Sequence, residues 1–196
     1  MGELPHSIDL DLREAKAMLD GLVPYIYEDD LYGKIGMNMP RLTPGALLLR
    51  MTRLERLHSR MTDSQLRAYH AAHSQFTRLT TEWNQAYRKK LGQEATARLR
   101  DLQTYLGECK DDERGCAANY LPEALRRTIL HEIGGVLSAD ELGEAATTLK
   151  GVDRSLRAYV RPCPFLWDEA LAEVYPEGDY WWLYQRPPQP SKDKEQ

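Results

Sequence analysis

The chain has 196 residues, 42% hydrophobic and 29% charged, a balance that excludes a disordered or low-complexity polypeptide and fits one globular domain. The net charge of −4 is unevenly spread: residues 1–40 carry 3 basic and 8 acidic side chains, residues 41–100 carry 12 and 4, and residues 101–196 carry 11 and 18. A basic centre between acidic arms reads as a site for an anionic partner or as charges that neutralise one another within the fold, and the overall acidity favours the second.

The first residues lack a basic stretch followed by an apolar one, so no leader peptide is expected, and no apolar run approaches the ~20 residues that cross a bilayer. Three cysteines are too few for a secreted disulfide framework. A cytoplasmic protein without membrane contact, its thiols packed as small apolar groups, is the expectation.

In chain order, Leu12, Ala15, Leu19 and Leu22 step by three and four and predict a first amphipathic helix over 9–21, closed by Gly21 and Pro24. Thr43 before Pro44 starts a second over 44–61. Thr62 with Gln65 forms a capping box that starts a third over 63–91, stopped at Gly92. A fourth carries Ala95, Leu99, Leu102, Leu106 and Cys109; a polar turn over 110–119 follows. Pro122 opens a fifth through Leu125, Ile129 and Ile133, ended by Gly134 and Gly135. Ser138 with Glu141 is a second capping box, starting a sixth over 139–149, with a short seventh over 152–160. Phe165, Leu166, Leu171 and Val174 point to a last helix before Pro176.

No alternating β-branched run or hairpin turn appears. The predicted fold is therefore all-α: a multi-helix bundle of about seven or eight helices with long antiparallel central helices. Residues 1–185 read as one domain and residues 186–196, rich in proline and then charge, as a disordered tail.

Chemistry-bearing motifs are sparse. Glu55 and His58 have the i, i+3 spacing of one half of a di-iron site, with His73 a further candidate, but a second such pair is missing. Cys109, Cys116, His131 and Cys163 are a possible soft-metal set whose spacing matches no zinc knuckle. Cys163, between two prolines and beside Arg161, is the candidate nucleophile. Arg50, Arg53, Arg56 and Arg60, extended by Arg67, form a basic face for nucleic acid or an internal ion-pair network. Two irregular aromatic segments, with Tyr25, Tyr27 and Tyr32 in one and Tyr180, Trp181, Trp182 and Tyr184 in the other, read as partner-binding surface or as a strap docked into a groove of the bundle.

The sequence thus points first to a non-catalytic protein–protein interaction or scaffold module, with a protein partner or self-association and no cofactor or metal. Binding of a small ligand or metal between helices, with or without catalysis, is the alternative. Nucleic-acid binding through the basic face is the third.

Overall fold

The computed structural model describes residues 6–188. Eight α-helices dominate them: α1 (Ile8–Ile26), α2 (Pro44–Arg56), α3 (Asp63–Glu82), α4 (Asn84–Glu108), α5 (Glu113–Ala118), α6 (Tyr120–Val136), α7 (Ala139–Leu142) and α8 (Glu144–Tyr159). Two-residue strands β1 (Arg161–Pro162) and β2 (Gln185–Arg186) pair antiparallel. The chain is the all-α multi-helix bundle that its periodicity predicts.

The helix starts follow the capping chemistry. Ser7 accepts from the Leu10 amide at 3.3 Å, and Thr43 accepts from the Ala46 amide at 3.1 Å with Pro44 behind it. Thr62 and Gln65, and likewise Ser138 and Glu141, exchange both bonds of a capping box. Each such cap contributes about 1 kcal/mol by satisfying an amide that the helix itself leaves without a partner.

The helix ends depart from the predicted ones. α1 runs through Gly21 and Pro24 to Ile26, because burial of Tyr25 and Ile26 outweighs the one hydrogen bond that proline removes. α2 stops at Arg56 and a 3-10 turn covers His58–Arg60. The long helix expected over 63–91 breaks at Trp83, whose φ of −107° and ψ of 28° leave the helical range. α4 then passes Gly92 without interruption, since Leu91, Ala95, Leu99 and Leu102 hold one buried stripe across it. α5 lies inside the segment expected to be a turn, and α6 continues past Gly134 and Gly135. Gly143, at φ 55°, adopts a conformation that costs other residues free energy, and there the expected sixth helix divides into α7 and α8. In place of a last helix, residues 165–174 hold a 3-10 turn at Glu169–Leu171, capped by Asp168. Arg186, assigned to the tail, is paired with Arg161; residues 189–196 of that tail lie outside the described residues.

α1 packs on α2 and α3, α2 and α4 both pack on α6, and α8 packs on α4. α2, α4 and α6 come close at Gly45, where a Cβ would stand 2.6 Å from Ile129 Cγ2 and 2.9 Å from the Glu94 carboxylate. Glu94, 0% exposed, accepts from the Thr43 hydroxyl and the Gly45 amide, each at 2.6 Å, and pairs with Arg98 at 2.6 Å. A carboxylate at the positive end of α2 is favoured by the helix dipole, and its three donors offset the cost of removing it from water. One turn earlier on α4, buried Lys90 donates to the carbonyls of Glu28 at 2.5 Å and Asp30 at 2.8 Å and lies over the Tyr25 ring.

The cysteines depart from the packed-thiol expectation. Cys109 and Cys116 are joined by a disulfide that ties the end of α4 to α5, with Cα atoms 5.0 Å apart. Tyr105 donates its hydroxyl to the Cys116 carbonyl at 2.8 Å beneath it. The short turn between the helices brings the two sulfurs together, a proximity that six intervening residues did not reveal in the sequence.

Candidate functional site

The basic face of α2 is turned toward the C-terminal segment. Arg50 pairs with Glu14 at 2.6 Å. Arg53 reaches Asp11 at 3.3 Å and the Tyr175 hydroxyl at 2.9 Å, and packs over the rings of Trp167 and Tyr175. Arg56 donates to the Val174 carbonyl at 2.9 Å and the Tyr180 hydroxyl at 2.7 Å. Arg60 donates to the Ala170 carbonyl at 2.7 Å and pairs with Glu173. Three arginines at steps of three and four, Arg53, Arg56 and Arg60, thus hold residues 167–180 against the bundle, Arg50 ties α2 to α1, and Arg67 remains exposed. Acidic groups from both arms, Asp11 and Glu14 before the basic block and Glu173 after it, supply the counter-charge.

The aromatic candidates divide. Tyr25, Tyr180, Trp181 and Trp182 are buried, and Tyr184 is half-buried with its hydroxyl donating to the Tyr175 carbonyl at 2.9 Å. Trp182 donates from its indole to Thr128 Oγ1 at 2.9 Å, and Arg127 stacks 3.9 Å from its ring centre while pairing with Asp153 at 2.7 Å. Arg157 stacks on Trp181 at 3.8 Å, and Tyr180 donates to Glu132 at 2.7 Å. These rings form the covering of α6 and are withheld from the surface. Tyr27 and Tyr32 are the exposed members of the set. The two aromatic segments pack in different places: Tyr27 lies edge-on to Trp83 at 5.5 Å, and the C-terminal rings lie against His131, Trp167 and one another.

The metal and nucleophile candidates also separate. Among the described residues no three His, Cys, Asp or Glu side chains converge as a metal ion requires. His58 is exposed and bonds the Glu55 carbonyl at 2.9 Å; His73 is exposed beside Tyr69. His131 lies 4.6 Å from the Tyr180 ring, and burial holds its pKa below the ordinary histidine value. Arg161 does not activate Cys163: its guanidinium bonds the carbonyls of Ala158, Tyr159 and Val160, and burial pushes the Cys163 thiol up.

A cleft of about 600 Å³ lies between α1, the start of α2, α6 and the Trp167–Leu171 segment. Leu10, Leu49, Leu121, Leu125, Ile129 and Trp167 give it apolar walls. Arg50, Arg53, Arg98, Asp11 and Glu14 give it a polar floor, with His6 at one end. Leu10, Leu121 and Leu125 are 37%, 36% and 39% exposed, so three of the six large apolar side chains that remain exposed among the described residues gather at this one place. His6 bonds Asp11 at 2.8 Å and, through its amide, Asp168 at 2.7 Å, fixing the entrance. Burial raises the Asp11 pKa, but the His6 bond and the Arg53 charge outweigh it and hold the carboxyl below its usual range.

Two signals for this cleft were present in the sequence. Leu10 falls off the apolar stripe of α1, and Glu94 and Arg98 stand four apart along the edge of the apolar stripe of α4. Neither marks a cleft without the partner helices. Comparison with protein-family models, curated proteins and solved structures finds no match to the chain.

Proposed function

We propose that the protein is a non-catalytic binding module that takes a small amphiphilic ligand into the cleft between α1, α2 and α6. The observation that carries this reading is the cleft itself: leucine walls left partly open to water around a fixed set of ion pairs. Its volume falls in the range of small-molecule sites, and few, convergent polar groups in an apolar hollow are the general form of such sites. The ion-pair floor favours a preformed site, since Arg50 and Arg53 are each held by a carboxylate before any ligand arrives.

A protein partner is the second reading. It is favoured by the loop after α1, where Tyr27, Tyr32 and the 93% exposed Met37 stand on the surface. The burial of Tyr180, Trp181 and Trp182 removes the larger apolar surface on which that reading first rested. As to compartment, no helix among the described residues is long and apolar enough to cross a membrane. The Cys109–Cys116 bond favours an oxidising compartment over the cytoplasm expected from the cysteine count.

The test is titration with Nile red, an uncharged apolar dye. Saturable binding at one dye per chain is expected, weakened at least tenfold in Leu125→Glu, which places a charge on the cleft wall. Absence of saturable binding to the wild-type chain would overturn the reading.

A further inference from the structure

The cleft carries a chemical preference in its floor, and this inference rests on the binding role proposed above. Arg50 and Arg53 meet their carboxylates inside the cleft: Glu14 and Asp11 line it beside them. Arg98 differs. Its counter-ion, Glu94, lies behind it, fully buried and outside the lining, engaged by Thr43, Gly45 and Arg98 Nε and Nη2. A guanidinium offers five N–H donors in a planar fork. Arg98 uses Nε and Nη2, and its Nη1 meets no acceptor among the described residues; nor is that nitrogen one of the sealed, unpartnered buried atoms, which are Glu123 Oε2, Arg127 Nη1 and the Tyr159 hydroxyl. The cleft therefore meets the positive end of a buried ion pair, with the negative end turned into the core.

We propose that the ligand is an alkyl-chain carboxylate: its headgroup accepts from Arg98 Nη1 and its chain lies along Leu10, Leu121 and Leu125. The two halves of the ligand answer two separate observations. Unused N–H donors in a partly desolvated wall call for an acceptor, and a carboxylate gains most because the bond is charge-assisted. Three leucines partly open to water call for a flexible apolar chain, whose burial lowers their contact with water. A cationic headgroup is disfavoured, since Asp11 and Glu14 are already matched by Arg53 and Arg50.

The experiment is calorimetric titration of the full chain with octanoate, decanoate and dodecanoate, and with decanol and decyltrimethylammonium as matched chains. Each added CH2 group buried should tighten binding by about fourfold. Decanoate should bind at least tenfold more tightly than decanol, and Arg98→Lys, which keeps the charge beside Glu94 but loses the fork, should erase that preference while the chain stays helical by circular dichroism. If Arg98→Lys fails to fold, the side-chain nitrogen resonances of the wild-type chain decide: those of Arg98 should shift on adding decanoate and not on adding decanol, and shifts confined to other arginines would move the headgroup away from Arg98. Equal binding of decanoate and decanol overturns the carboxylate and leaves the cleft reading intact. Failure of every chain, together with failure of Nile red, overturns both.

Discussion

His131 lies between the two elements that close the bundle, on α6 and against the Tyr180 and Trp182 rings. Burial lowers its pKa, Arg127 and Arg56 lower it further, and Glu132 and Asp179 oppose them. Because the folded pKa is depressed, the unfolded chain takes up a proton near the ordinary value of 6.5 that the folded chain refuses. The stability linked to this group is thus present above that value and lost as pH falls from it through the lower folded pKa. Melting temperature should drop as pH falls below about 6.5, and His131→Asn should flatten that slope. A slope unchanged in the variant would assign the pH dependence elsewhere.

At the scale of elements, α4 and α6 explain both what the sequence discloses and what it conceals. The apolar steps Leu91, Ala95, Leu99 and Leu102 are legible as a stripe, and they are buried. Lys90, Glu94 and Arg98, spaced four apart beside that stripe, look from the sequence like the solvated edge of the helix, yet they are buried too. Glu123, Arg127 and Glu132 are likewise charged and buried on α6. Periodicity locates the centre of a helix's buried face, but its width depends on how many helices surround it, and α4 and α6 are flanked on several sides. The capped starts at Thr43, Thr62 and Ser138 were legible because capping is local; the break at Trp83 was not, because the register continues across it.

The disulfide acts at this same scale. Cys109 and Cys116 stand seven apart, and closing so short a loop stabilises the fold by ~2–3 kcal/mol through the unfolded chain. Reduction, or Cys116→Ser, should lower the melting temperature by roughly 5–10 °C. A calorimetric scan with and without dithiothreitol measures it, and no change would show that the bond adds nothing to stability.

For the molecule as a whole, the C-terminal segment is the closing piece. It returns from α8 along the bundle, pairs with itself through β1 and β2, and covers α6 with Tyr180, Trp181 and Trp182. The cluster was legible as an aromatic run near the end of the chain; which groove it fills was not, since that depends on Arg53, Arg56 and Thr128 meeting from two helices. Trp182→Ala removes a fully covered ring, its bond to Thr128 and its stack on Arg127. The expected loss is about 3–5 kcal/mol by urea denaturation. A loss below about 1 kcal/mol would make the segment peripheral to folding.

The ammonium of Lys90 has one more consequence. By gripping the carbonyls of Glu28 and Asp30 from within the bundle, while Gly33 and Leu42 exchange backbone bonds of 2.9 Å, it pins the root of the loop that carries Tyr27, Tyr32 and Met37. Side chains projected from so firm a base resemble a bracket more than a tether. A partner docking there would meet a shape already set, with little freedom left for it to quench.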